Sequence, residues 1–158
     1  LDCDLVMLEY GGNDCDLDWA AISANPFLSH EAKTPLNLFK DTYRQMIRLL
    51  RQHGIEPLLV SLPPLHSERY FDFIISKGLS RDNIMGYLGD VQQIYRHQES
   101  YSLAVTSLAA SEKCLYAPIR EAFLSVRNFP DYICLDGIHP NEKGHELMQN
   151  VLTGLFPA

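Results

Sequence analysis

The chain has 158 residues, 46% of them hydrophobic and 21% charged, which is the composition of one soluble globular domain with room for a sizeable core. Its formal net charge of -7 supplies no basic surface for nucleic-acid phosphates or anionic membranes. No apolar run approaches the ~20 residues of a membrane span, and no basic start followed by a long apolar run marks a signal peptide.

The first predicted element is a buried strand over Asp4–Tyr10. A polar stretch follows, with one helical turn around Trp19. Thr34 then reads as an N-cap with Pro35 at the first helical position. Leu36, Phe39, Tyr43, Met46, Ile47 and Leu50 recur at three- and four-residue spacing, one face of a helix that Gly54 stops. Pro57–Leu62 is a second buried strand, ended by Pro63-Pro64. Ser67–Lys77 reads as helix, stopped by Gly78, and Ser80 caps a short helix toward Leu88. Asp90 caps a longer helix with Val91, Ile94, Tyr101, Val105 and Leu108 on its apolar face. Cys114–Ile119 is a third strand, followed by a short helix over Ala122–Val126 and a loop carrying Asp136–Pro140. Asn141 caps the last helix, whose inner face is Leu147, Met148, Val151, Leu152 and Leu155.

Alternating strands and helices give a parallel α/β sheet covered on both faces, in one domain over residues 1–158. Ligands of such sheets bind beyond the carboxyl ends of the strands. Asn13 follows the first strand, Pro63–Ser67 the second, and the Asp136–His139 loop the third strand and its short helix. Cys3, Cys15, Cys114 and Cys134 form neither a CxxC pair nor a zinc spacing, and read as the reduced thiols of a cytoplasmic protein.

Two motifs carry chemistry. Gly11-Gly12-Asn13-Asp14 ends the first strand, and Asp136-Gly137-Ile138-His139-Pro140 precedes the last helix. A side-chain amide that donates at a strand end, with an Asp three residues before a His, supplies an oxyanion donor and an oriented general base. Each motif alone also reads as a turn, which Gly, Asn and Asp form readily. Asp14, Asp16 and Asp18 alternate like the start of a calcium loop, but Trp19 stands where that loop needs Gly and Asn25 where it needs Glu, so a polar loop rim is expected and no metal. His66 follows a strand end and is expected in the substrate pocket; His30, His53, His97 and His145 read as surface or helix-packing groups. Trp19 and Tyr10 fit either a pocket wall or the core.

Together, in this order, the two motifs resemble the third and fourth sequence blocks of the SGNH, or GDSL-type, hydrolases: Gly-x-Asn-Asp and Asp-x-x-His. Val60-Ser61-Leu62-Pro63-Pro64 resembles the passage between them. The resemblance implies a three-layer α/β/α, flavodoxin-like fold. It also implies a serine esterase or acyl hydrolase working through an acyl-enzyme, with His139 as base, Asp136 as its orienting partner and Asn13 in the oxyanion hole. Gly12, Asp14 and His66 would line the substrate site, with Asp14 anchoring the loop and Gly11 and Gly12 permitting positive φ or close approach. A small ester, such as an acetylated sugar or a lipid ester, would be the substrate, and no cofactor is implied.

The family's first two blocks, including its Gly-Asp-Ser nucleophile, have no counterpart here, and no glycine-flanked elbow surrounds Ser61 or Ser67. The expectation is a preceding segment of roughly 50 to 80 residues that carries the serine, the chain alone being inactive. Without that segment the first strand would expose an apolar edge, which favours pairing into a homodimer. Two rival readings keep the fold: a non-catalytic binding module or nucleophile-less fragment, and an acyltransferase using the same site.

Overall fold

Three short strands build a parallel sheet in the order β1-β2-β3, formed by Leu5–Leu8, Glu56–Val60 and Leu115–Ala117. Leu8 pairs with Leu59, and Val60 with Ala117, so the strands end together and their loops emerge on one edge. The computed structural model describes residues 3–156. Among these residues five α-helices lie between the strands, α1 (Trp19–Ala24), α2 (Leu36–Gln52), α3 (Ser67–Ser76), α4 (Arg81–Leu88) and α5 (Gln93–Ser111), and α6 (Ile119–Ser125), a 3₁₀ turn over Phe129–Tyr132 and α7 (Glu142–Leu155) follow β3.

Strand alternation divides the core. Val6, Leu8 and Leu59 face α2 and α5, where Phe39, Tyr43, Ile47, Tyr101 and Val105 meet them. Leu5, Leu58, Val60 and Ala117 face the other way, onto Phe123 of α6 and Leu147, Val151 and Leu152 of α7. The result is the three-layer α/β/α arrangement that the sequence predicts. A third cluster stands apart from the sheet: Ile22, Phe71, Ile74, Ile84 and Leu88 join α1, α3 and α4 into a helical lobe beside the strand ends.

Element ends differ from the sequence expectation for local reasons. Pro35 occupies the cap position of α2 and offers no side-chain cap; Thr34 is used elsewhere, its N–H donating to the Asp14 carbonyl and its carbonyl accepting from the Tyr101 hydroxyl. Asp90 sits before α5 rather than at its cap, closing a turn with the Gln92 N–H and pairing with Arg96. All three strands are shorter than predicted. Ser61 leaves the ladder after one more bond to the Ala117 carbonyl, and Pro118 starts α6 at once. Asn141 does cap α7, accepting from the Gly144 N–H at 3.1 Å.

Among the described residues no helix is long and apolar enough to cross a membrane.

Candidate active site

The loop after β1 is set by its glycine. Gly11 has φ +132°, and a Cβ there would lie 2.8 Å from Leu62 Cδ1, so only glycine lets the chain turn against Leu62. Gly12 has open space and no such need, contrary to expectation. The Cys15 N–H closes the turn onto the Gly11 carbonyl at 2.9 Å, leaving Asn13 exposed at its tip. Tyr43, fully buried on α2, donates its hydroxyl to the Leu8 carbonyl at 3.1 Å and fixes the strand end from below.

Anchoring falls to Asp16 rather than to Asp14. The Asp14 backbone carbonyl ties to the Thr34 N–H. Asp16 accepts from the Tyr70 hydroxyl at 2.7 Å, the Trp19 indole at 2.9 Å and the Lys33 ammonium at 2.7 Å. Burial pushes its carboxyl up, but the bonds from Lys33, Tyr70 and Trp19 outweigh that and hold it below the ordinary carboxylate range. Both its oxygens are thus engaged by protein donors, and Asp18 is used in capping α1 through the Ala21 N–H. The alternating Asp run serves loop structure. Asp16→Ala is expected to lower unfolding free energy by about 2–3 kcal/mol, since it strips a phenol and an indole of an ionised acceptor. A carboxyl depressed by folding stabilises above its unfolded pKa and loses that contribution as pH falls through the folded value. Urea midpoints of wild type and Asp16→Ala should therefore converge in acid and separate toward neutrality.

The second motif forms its own scaffold. Asp136 Oδ1 accepts from the N–H groups of Ile138 at 3.0 Å and His139 at 3.2 Å, and Oδ2 lies 2.7 Å from His139 Nδ1. A carboxylate only accepts, so Nδ1 carries the proton and the Nε2 lone pair is left free. Burial raises the Asp136 pKa, but the bonds from the His139 ring and the two amides prevail and keep it lower than usual. Gly137 has φ +82°, and a Cβ would strike the Tyr70 N and lie 2.7 Å from the His66 carbonyl; the loop lies directly on the start of α3. The His139 carbonyl accepts from the Cys134 N–H, and Ile133 bridges Pro140. The imidazole itself is 71% exposed, open to substrate and water.

Both motifs line one cavity of about 510 Å³. Gly12, Asn13 and Asp14 are on its wall together with His139, which lies 126 residues beyond Asn13 in the chain. His66 is not on that wall. Its ring turns back to cap α3, with Nδ1 accepting from the Arg69 N–H. Trp19 and Tyr10 do line the cavity, as do Tyr70 and Gln98, which the sequence left unassigned, and His97. His97 was expected at the surface or in helix packing; one ring nitrogen instead bonds the Cys15 carbonyl at 2.8 Å. The available signal was a break in the apolar stripe of α5, where His97 and Gln98 fall between Ile94 and Tyr101 on the buried side.

No serine lines the cavity among the described residues. Ser61 is fully buried and bonded to Glu121 and the Arg120 N–H, and Ser67 is buried and bonded to Gln92. The Cys15 thiol reaches the cavity but donates to the Gly12 carbonyl; burial, with the nearby Asp16 carboxylate, pushes it up to about 12, so it stays a thiol.

The architecture matches solved enzymes. A lipase/acylhydrolase from Enterococcus faecalis superposes with a TM-score of 0.66 at 14% identity, covering 96% of this chain and 60% of that one. A GDSL-like lipase from Bacteroides thetaiotaomicron gives 0.61 at 15% identity, with 96% and 61% covered. An acetylxylan esterase from Geobacillus stearothermophilus gives 0.66 at 18%, with 98% and 60% covered. The chain thus spans about 60% of the length of these structures. No curated protein matches it in sequence. The sequence profile of the GDSL-like Lipase/Acylhydrolase family matches residues 1–147, a stretch that takes in both motifs and every strand of the sheet, and the chain belongs to that family.

Proposed function

We propose that this chain forms the base-and-oxyanion half of a serine ester hydrolase, with the nucleophilic serine supplied by sequence outside Leu1–Ala158. The observation that carries the reading is His139, bonded to Asp136 at 2.7 Å with Nε2 unengaged among the described residues, on the wall of the same cavity as Asn13. Support for an outside nucleophile comes from the greater length of the matched structures and from the engaged hydroxyls of Ser61 and Ser67.

In this mechanism the serine hydroxyl attacks the ester carbonyl while His139 Nε2 takes its proton. Asp136 holds Nδ1–H and stabilises the imidazolium that forms. The carbonyl oxygen becomes an oxyanion that accepts from the Asn13 amide. His139 then returns the proton to the departing alcohol. Water, activated by the same nitrogen, releases the acid from the acyl-enzyme. The 71% exposure of the His139 side chain leaves water free access, which favours hydrolysis over transfer to another alcohol.

Asn13 provides the sharpest test of the oxyanion role. In the natural protein that includes the serine, Asn13→Ala is expected to lower kcat for aryl ester hydrolysis by about 10²–10³-fold with little change in KM, because the amide binds charge that exists only after attack. A wild-type kcat in Asn13→Ala would remove it from the mechanism.

A further inference from the structure

Asn13 is exposed at the tip of its loop, so its amide is aimed by the loop backbone rather than by packing of its own side chain. Four backbone hydrogen bonds shape that loop. The Cys15 and Asp16 N–H groups donate to the Gly11 and Asn13 carbonyls, and the Thr34 and Lys33 N–H groups donate to the Asp14 and Asp16 carbonyls. All of these groups lie within residues 11–34, so they give the loop its form without tying it to the helices around it.

Two side chains from distant helices make that tie directly. Tyr70 of α3 reaches the Asp16 carboxylate at the far end of the loop. His97 of α5 reaches the Cys15 carbonyl at 2.8 Å, across 82 residues of sequence. A carbonyl only accepts, so Nε2 of His97 carries the proton and donates it. Cys15 is the residue whose own N–H closes the turn around Asn13, so the His97 bond grips that turn itself.

Neighbouring contacts make α5 the platform for both strand-end loops. Tyr101 stands one turn on from His97 on the same helix face, their rings edge to face at 5.6 Å between centroids. It donates to the Thr34 carbonyl at 2.6 Å, and the Thr34 N–H holds Asp14. Gln98 donates to the Pro63 carbonyl at 2.8 Å, while Arg120 donates to Gln98 Oε1 and to the Leu62 carbonyl. Residues 97 and 98 thus hold the loops after β1 and β2 side by side, where Gly11 turns against Leu62. An imidazole and an amide set into an apolar stripe are unfavourable unless they bond, and here each bonds a loop carbonyl.

We propose that His97 is a positioning residue for ester hydrolysis: through the Cys15 carbonyl it fixes the turn that aims the Asn13 amide at the oxyanion. The assignment rests on the ester-hydrolase reading for the reaction, but the anchor itself is present without turnover.

The test compares the natural protein with His97→Phe and His97→Leu, which lack the donor, and with His97→Gln, whose amide reaches as far as Nε2. Circular dichroism verifies folding. In the Phe and Leu variants the Cys15 and Asp16 amides should exchange hydrogen at least about 10-fold faster, with α2 and the sheet unchanged, and in the Gln variant at about the wild-type rate. For an aryl ester, kcat should fall about 10–10²-fold with KM held within about 2-fold, and glutamine should restore kcat to within about 3-fold. In an Asn13→Ala background, His97→Phe should cost less than about 2-fold, because two residues that act through one amide are not additive. Unchanged loop exchange in the folded variants, a full loss in His97→Gln, a KM rise at constant kcat, an additive loss beside Asn13→Ala, or unfolding of both variants without the donor would each overturn the proposal. Failure of the two readings is distinguishable. Loop exchange that follows the donor, without any His139-dependent ester hydrolysis, keeps the anchor and sinks the hydrolase. A loop indifferent to position 97 beside His139-dependent hydrolysis does the reverse.

Discussion

Replacing His139 with alanine is expected to lower kcat/KM for ester hydrolysis by about 10²–10⁴-fold, the span of a general base in a positioned site. The chain should meanwhile keep its stability. The His139 ring is 71% exposed and its one side-chain hydrogen bond goes to Asp136, which retains two backbone N–H donors after the substitution. Thermal midpoints of wild type and His139→Ala should therefore agree closely, while progress curves diverge. Added imidazole is expected to restore part of the rate, because the space left beside Asp136 opens to solvent. An unfolded variant would explain lost activity trivially; a folded one with wild-type turnover would place the base elsewhere.

Asp136→Asn probes orientation rather than proton transfer. The asparagine carbonyl oxygen can still accept from the Ile138 and His139 N–H groups, so the loop should survive. Its NH₂ would then face Nδ1 at the position where the carboxylate now lies 2.7 Å away. Two donors cannot share that contact, so the imidazole takes the other tautomer and Nε2 becomes protonated and useless as a base. A loss in kcat of up to about 10⁴-fold is expected, on the scale seen when a buried triad acid is amidated. The greater exposure of this site makes a smaller loss, nearer 10²-fold, equally compatible with an orienting role. A loss under about 2-fold would show that another group holds the ring.

The same geometry sets the sign of the pH dependence. A general base works only as the neutral imidazole, so activity falls as acid protonates His139. Asp136 is held lower than an ordinary carboxyl despite its partial burial, by the His139 ring and the two backbone amides. It therefore remains an ionised acceptor as pH falls below neutrality, and the acid limb of log kcat/KM should rise with a slope of about 1. A slope of about 2 would mean that both groups lose function together.

Much of this site is legible in the chain because its motifs are local. Asp136 and His139 meet within three residues, and Gly137 is the position where a Cβ would strike the backbone of α3. The helix face of α2 follows directly from apolar spacing, and so does that of α7 except at Leu155, which is exposed. The helical lobe is different. Asp16, Trp19 and Tyr70 come together only because α3 folds back across the loop after β1, a contact spanning 54 residues between Asp16 and Tyr70 that no local pattern encodes. His66 misled for the opposite reason: its place after a strand suggested the pocket, but the next residue begins a helix, and capping that helix takes the ring. His97 was misread because a polar residue on an apolar helix face looks like a surface group until the facing loop is known.

The most direct test of the central claim is fluorophosphonate labelling of the natural protein, read by peptide mass analysis and compared with its His139→Ala variant. The expected result is a single adduct on a serine outside Leu1–Ala158, formed quickly in wild type and at least 10²-fold more slowly in the variant. An adduct on a serine within this chain, or labelling equally fast without His139, would contradict the division of the site between this chain and an outside nucleophile.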